Sequence, residues 1–338
     1  MNQLMLIYTK LYMIGPKKIL ITGASGYIGS RLCKFLSLQG HEIIGLFQFP
    51  PNNENNWSGI VSKCIVGDIK SEQTIELISK NKPQIIIYLV SLDHVESEKN
   101  PNESFSTNVQ PIWNLLHDSK KNNNKLEKFI NFSSVQVYGK KNSGTAIENE
   151  ELKPSNNYGL THYLRERICD FFNNSTNIDC INLRLSNSYG SPVFLDSSTC
   201  WKLVVNDLVK TAYEQNKIVL NSDGSAVRDF IHYSDICNTI NKLITTKKAP
   251  ELRTINLSSS KSISLIKLAK LVHEVYIEKY GIKIPIYINK NELFSNDKGN
   301  DLSSGFNISN NVLCEYVYTP VKPLREGINE MFDYLDKT

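Results

Sequence analysis

The first residues whose types and spacing imply chemistry are Thr22-Gly23-Ala24-Ser25-Gly26-Tyr27-Ile28-Gly29. They join a β-branched run, Lys18 to Thr22, to an amphipathic stretch from Tyr27 to Leu38 that ends at Gly40, where a helix C-cap is expected. Glycines at such a junction permit a tight turn, close backbone approach to a pyrophosphate and close packing of helix on strand, while the helix N-terminus faces the anion. The spacing is GxxGxxG in place of the commoner GxGxxG, so position carries the reading: this is the first junction of a chain that keeps alternating strand and helix. Gly23, Ser25, Gly26, Tyr27, Ile28 and Gly29 are therefore assigned to a dinucleotide site.

The adenosine end of that site is less specific. The second strand, His41 to Phe47, is followed by Gln48, with no acid for the ribose 2′-hydroxyl of NAD and no Arg for the extra phosphate of NADP. Gln48 can hydrogen-bond either ribose; NAD is favoured and NADP stays open. Asp68, in Gly67-Asp68-Ile69 after the third strand, is placed to reach an adenine amino group with Ile69 beside it, or equally to cap the helix that begins near Ser71.

The elements that must position these groups are legible from periodicity. His41 to Phe47, Cys64 to Val66, Gln84 to Val90, Lys128 to Ser133 and Ile178 to Leu185 read as strands. Ser71 to Lys80, about Glu103 to Ser119 and about Asn157 to Phe172 read as helices between them. Continuous apolar strands alternating with helices predict an α/β fold, a Rossmann-like doubly wound parallel sheet with a smaller C-terminal domain for substrate. The domain boundaries expected are an extension over residues 1–16, a dinucleotide-binding domain over 17–185, and a mainly substrate-binding part over 186–338 with some segments returning to the first domain. A helix is expected over about Cys200 to Gln215.

Composition excludes several classes. Hydrophobic residues make up 41% of the 338, enough for a globular core. The net charge of +4 is spread along the chain, and its densest basic stretch, Lys120 to Lys128, is interleaved with asparagines as in a solvated loop, so no nucleic-acid partner is expected. The seven cysteines are scattered without a CxxC pair, which fits a reducing, cytoplasmic setting and gives no metal site. No apolar run approaches the roughly 18 residues of a membrane span, and Met1 to Ile14 is expected to be a loose extension, with Met13 an alternative start.

A second constellation follows the fifth strand. Asn131-Phe132-Ser133-Ser134-Val135-Gln136-Val137-Tyr138-Gly139 ends a buried strand with paired hydroxyls, and Asn156-Asn157-Tyr158-Gly159-Leu160-Thr161-His162 opens the next helix. The first resembles the SSxxVYG element, and the second the YGxSK element, of the extended short-chain dehydrogenase/reductase superfamily. Further on, Leu183 to Pro192 resembles the LRxxNxYGP element, and Asp223 to His232 the GxxxRDFIH element, of its NAD-dependent epimerase/dehydratase (nucleotide-sugar epimerase) family.

The resemblance implies a Rossmann fold, NAD as cofactor and a nucleoside-diphosphate sugar as substrate, in supply of sugars for surface polysaccharides. It makes Ser134 the hydroxyl that orients the reacting oxygen, Tyr158 the acid/base, Asn187 a diphosphate contact and Arg228 a diphosphate clamp. Asp229 and Asp235 are expected to hold the turn and cap the following helix, and Asn108 matches an asparagine of the family that is as readily structural as functional. The helices around Glu103 to Ser119 and Asn157 to Phe172 form the dimer bundle in many relatives, so a homodimer is implied.

One departure stands out. Where the family has a lysine four residues after the tyrosine, to lower its pKa and hold the nicotinamide ribose, this chain has His162. A histidine at that position can hydrogen-bond the ribose but is shorter and largely neutral at pH 7, so its electrostatic help is smaller. Arg165, a second turn on, is read as too far along the helix to stand in. The 4,6-dehydratases of the family carry Asp-Glu after the catalytic hydroxyl; Val135 and Gln136 stand here, which disfavours dehydration and leaves epimerisation or oxidoreduction at a sugar carbon. Two other readings remain: an NADP-dependent carbonyl reductase, and a cofactor-binding relative silenced by loss of the lysine.

Overall fold

The computed structural model describes residues 15–51, 54–122, 125–141, 143–194, 200–245, 252–289, 291–292 and 305–338. In chain order the first half runs β1 (Lys18–Thr22), α1 (Tyr27–Leu38), β2 (Glu42–Phe47), β3 (Lys63–Val66), α2 (Glu72–Asn81) and β4 (Ile85–Tyr88). It continues through α3 (His94–Lys99), α4 (Pro101–Asn108), α5 (Gln110–Lys121), β5 (Lys128–Ser134), β6 (Thr145–Ala146), α6 (Asn157–Ser175) and β7 (Asp179–Leu185). The helix expected over Glu103 to Ser119 is thus two. Pro111, in the first turn of α5, lacks an N–H and its ring crowds the preceding carbonyls, so the chain re-aims at Val109.

The second half contributes β8 (Asn187–Tyr189), α7 (Val204–Gln215), β9 (Ile218–Leu220), β10 (Val227–Arg228), β11 (Phe230–His232), α8 (Tyr233–Thr245) and β12 (Thr254–Leu257). It ends with β13 (Ile263–Ser264), α9 (Leu265–Tyr280), β14 (Ile286–Ile288), β15 (Asn291–Glu292), β16 (Asn307–Ile308), α10 (Asn311–Tyr316) and α11 (Leu324–Leu335). Where one helix was expected over Cys200 to Gln215, a 3₁₀ turn at Cys200–Lys202 precedes α7.

The central sheet is seven-stranded, in the order β12-β7-β5-β4-β1-β2-β3, and every pairing in it is parallel. Alternate residues of each strand serve opposite faces. Ile19, Ile21, Ile85, Ile87, Ile130 and Phe132 enter one core with α1 and α8, whereas Leu20, Ile86, Tyr88 and Phe129 enter the other with α2 and α5. Strands apolar on both faces are what a parallel sheet covered by helices requires, and this is the Rossmann-like α/β fold. A third core joins α7, α9 and α11 through Val205, Leu208, Val209, Leu268, Val272, Ile328 and Phe332. Strand order reverses between β1 and β4, which opens a crevice at their carboxyl ends. Among the described residues no helix is long and apolar enough to cross a membrane. The expected extension Met1 to Ile14 and the polar stretch Ser295 to Ser304 lie outside the described residues.

Candidate active site

The glycine turn sits at that crevice. Gly23 has φ +64, a left-handed conformation that favours glycine, and a Cβ on Gly29 would collide with the Gly23 carbonyl oxygen. The Gly26 N–H donates to that carbonyl at 3.0 Å, which closes the turn. Gly26 then caps α1 without a side-chain hydrogen bond, so the first-turn N–H groups are left for an anion, and Ser25 is exposed beside them. This cradle fits a pyrophosphate.

The flanking residues divide. The Tyr27 side chain is buried and its hydroxyl donates to the Gly190 carbonyl at 2.9 Å, so only its backbone faces the turn. Ile28 is half-buried between the first and third cores. Gln48 is exposed after β2. Asp68 is exposed and accepts from the Lys70 N–H at 2.9 Å; the cap of α2 is Ser71, whose hydroxyl accepts from the Thr74 N–H, so Asp68 does not cap that helix. Ile69 is a core residue, packed with Ile65 and Ile75. Asn108 is fully buried with its amide committed: Oδ1 accepts from the Leu92 N–H at 2.7 Å, and Nδ2 donates to Ser104 and to Thr161 at 3.2 and 3.0 Å. It ties α4 and α6 to the loop after β4.

Ser134 ends β5, and its hydroxyl accepts from the Gln136 N–H at 3.2 Å, starting a 3₁₀ turn over Val135–Tyr138. The next helix, α6, is capped by Asn156, which accepts from the Gly159 N–H at 2.7 Å and also holds Gln136 at 3.0 Å. Tyr158, in the first turn of α6, is thereby brought close enough to Ser134 for the serine side chain to act on its ionisation. Burial raises its pKa above 10; the Arg165 charge and the Ser134 hydrogen bond work against that rise, and Asp93 adds to it. Two sequence-distant hydroxyls are thus placed together at the carboxyl end of the sheet, the end at which the glycine turn also lies.

His162 lies one turn on, its ring 4.4 Å from that of Tyr158, and is almost wholly buried. Nε2 lies 3.4 Å from the Ser91 hydroxyl and Nδ1 has no protein partner. Burial first, and then the Arg165 charge, hold its pKa well below 6.5, so it is neutral at pH 7. Arg165, read from the sequence as too distant, is fully buried in this same neighbourhood. Its guanidinium donates from Nε to Asn131 at 3.0 Å and from Nη1 toward the Val90 carbonyl at 3.4 Å, and it stands 5.0 Å from the Tyr88 ring centre. Positions 158 and 165 are about 10 Å apart along the helix axis at 1.5 Å per residue, and a long side chain at 165 tilts back toward the helix N-terminus.

The second-half residues also fall at this end of the sheet. Asn187 begins β8 and donates to the Asp229 carbonyl at 2.9 Å. Arg228 is exposed, with Nη1 on the Val227 carbonyl at 2.8 Å. The Asp229 carboxylate is spent not on its own turn but on the loop after β12, where it accepts from the Ser259 N–H and hydroxyl and from the Lys261 N–H. Asp235 does not cap a following helix: it lies inside α8 and accepts from Tyr318, Val321 and Lys322, pinning the segment before α11.

A glycine cradle at the switch point of a parallel sheet, with a Ser-Tyr hydroxyl pair beside it, defines the class of dinucleotide-dependent enzymes that move a hydride against a proton on a hydroxyl. The chain belongs to the NAD dependent epimerase/dehydratase family, whose model matches residues 19–258. It is 28% identical to a UDP-glucose 4-epimerase of Mycoplasma genitalium over 78% of this chain and 83% of that one. It is 26% identical to a dTDP-D-glucose 4,6-dehydratase of Dictyostelium discoideum over 77% and 62%. In fold it resembles the UDP-glucuronic acid 4-epimerase of Bacillus cereus in complex with UDP-glucuronic acid and NAD, with a TM-score of 0.73, 22% identity and coverage of 95% and 99%.

Proposed function

We propose that this protein binds NAD at the glycine cradle and a nucleoside-diphosphate sugar in the adjoining cleft, and carries out epimerisation or oxidoreduction at a sugar carbon. The observation that carries the reading is that Asn156, which caps α6 and holds Gln136, sets Tyr158 beside Ser134 at the end of β5. Bound NAD supplies the hydride acceptor and donor. Tyr158, as phenolate, takes the proton of the reacting sugar hydroxyl and returns it when the carbonyl is reduced. Ser134, whose oxygen is held by the Gln136 N–H, keeps its own proton to orient the sugar oxygen. His162, neutral with Nδ1 free of protein partners, fits a ribose hydroxyl. Asn187 and Arg228 serve the diphosphate, and the lobe of α7, α9 and α11 forms the far wall for the sugar nucleotide.

Epimerisation is favoured over 4,6-dehydration because Val135 and Gln136 offer no acid and base for removing water; the Gln136 amide is instead engaged with Asn156. The test is native mass spectrometry of the desalted protein, followed by incubation with UDP- and dTDP-sugars and chromatography of the products. A 4-epimer formed without net cofactor consumption supports the reading. A protein that arrives empty and binds neither NAD nor NADP overturns it, and stoichiometric NADPH oxidation would favour the carbonyl reductase.

We also infer pairing of two copies through α4, α5 and α6. Phe105, Trp113 and Phe171 are about half exposed there and line one apolar groove with Val109, Leu164 and Ile168. Light scattering should give a dimer, and Trp113→Glu a monomer.

A further inference from the structure

We propose that Arg165 has taken over the electrostatic task of the missing lysine: its guanidinium is the fixed buried cation that favours the Tyr158 phenolate. This rests on the assignment of Tyr158 as acid/base. Positions 158, 162 and 165 are spaced i, i+4 and i+7 and so share one face of α6, and a long side chain at 165 tilts back toward the start of the helix. The guanidinium is locked from three sides, by Asn131 on β5, the Val90 carbonyl after β4 and the Tyr88 ring. Asn131 is itself held by donating to Asn182 at 2.9 Å. The cation is therefore oriented by the sheet and not free to swing.

Its pairing is what sets it apart. Among the described residues no carboxylate makes an ion pair with Arg165, and Nη2 is buried without a hydrogen-bond partner. The neighbouring Glu166 is fully engaged elsewhere, by Arg184 at 2.8 Å and by the Ser133 hydroxyl at 2.6 Å. A guanidinium stays charged when buried, and a buried charge without a counter-ion destabilises the fold unless something offsets it. Acidic groups near it, in the order in which they act on its charge, are Tyr88, Tyr158, Cys169 and Glu166. Tyr158 alone of these sits at the crevice on Ser134, where a phenolate has a use.

Among the described residues, the groups that act on Tyr158 or pack against its ring include one permanent cation, Arg165. They are Ser134 from β5, Asp93 and the His94 ring at 6.4 Å from the loop after β4 and α3, and His162 and Arg165 from α6 itself. His162 is neutral and Asp93 has the opposing sign. Arg165 acts through Tyr158 and is a positioning residue, not one that touches the reacting atoms.

The decisive measurement is a pH titration, from about pH 7 to about pH 12, of protein labelled with ¹³Cζ-tyrosine and carrying neither cofactor nor substrate. The Tyr158 resonance is identified among the sixteen tyrosines by its loss in Tyr158→Phe. Arg165→Met should raise the Tyr158 midpoint by about one unit or more, as removal of a nearby charge in a buried site implies. Arg165→Lys should restore most of the difference. His162→Lys should lower the midpoint strongly in the Arg165→Met background and little in the native one, where a second buried cation is added beside the first.

A Tyr158 midpoint that stays within a few tenths of a unit in Arg165→Met, or a lysine at 162 that acts equally in both backgrounds, overturns the proposal. If Arg165→Met does not fold, Arg165→Gln, which removes the charge but keeps an N–H donor for Asn131, carries the same comparison. Because the titration needs no turnover, a failed Arg165 assignment is distinguishable from a failed enzyme: the latter would show as a Tyr158→Phe variant with undiminished product formation.

Discussion

Arg165 and Arg184 are both buried basic residues within reach of the same helix, and they live in opposite electrostatic worlds. Arg184, on β7, forks onto the Glu166 carboxylate at 2.8 and 3.0 Å and donates to the Tyr138 hydroxyl at 2.9 Å and the Glu148 carbonyl at 3.0 Å. Every charge in that cluster is answered, and it fastens β7 to α6 and to the 3₁₀ turn after β5. Arg165, one position before Glu166, points to the other side of α6 and meets neutral acceptors, an aromatic face and a tyrosine. One cation is satisfied by the fold. The other has neutral partners and, among the described residues, no carboxylate.

The largest effect expected from this contrast is on stability. Arg184→Met strands the buried Glu166 carboxylate and should lower unfolding free energy by about 3–5 kcal/mol in urea titration, whereas Arg165→Met, which removes an unpaired charge, should leave it unchanged or raise it. Equal losses in both would erase the distinction. Next is catalysis: Tyr158→Phe should reduce turnover by about 100-fold or more while NAD binding, measured by calorimetry, is kept. A variant that retains full turnover would remove Tyr158 from the mechanism, and the Arg165 role with it.

A smaller effect is in pH dependence. His162 is held below its ordinary value when folded, so below about pH 6.5 the unfolded chain takes up a proton that the folded chain refuses. Its contribution to stability is complete above that pH and is lost as pH falls, with a slope of up to about 1.4 kcal/mol per unit. His232, pushed down to about 3 by burial and then by Lys322 and Arg31, adds a slope of the same sign. Arg165→Met removes one of the two causes acting on His162 and should flatten the acid limb of melting temperature against pH. Arg184→Met should shift that curve without changing its acid slope. A slope identical in native and Arg165→Met proteins would mean that burial alone holds His162 neutral.

The parts of this protein that were legible in the sequence are those whose physics is local. Gly23 and Gly29 have to be glycine because of one turn's own backbone, Ser71 caps α2 through the N–H of Thr74 three residues on, and the strands declare themselves by apolar runs. Thr22, by contrast, carries no signal for what it does: its hydroxyl accepts from the Leu89 N–H at 2.9 Å and so sets the spacing of β1 and β4 at the crevice. Tyr27, Ile69 and Asn108 lie in matching motifs, yet their side chains are spent on Gly190, on the core, and on Leu92, Ser104 and Thr161.

What the sequence determined by itself was the alternation that makes a parallel sheet, the cradle at its first turn, and the identity of the hydroxyl pair through its resemblance to a family. Each depends on neighbours a few residues away. The tertiary structure alone decided which buried cation is paired and which is not. Glu166 follows Arg165 directly in the chain, but adjacent positions on a helix point about 100° apart, so the carboxylate went to Arg184 on β7 and the guanidinium turned toward Asn131 and the Tyr88 ring.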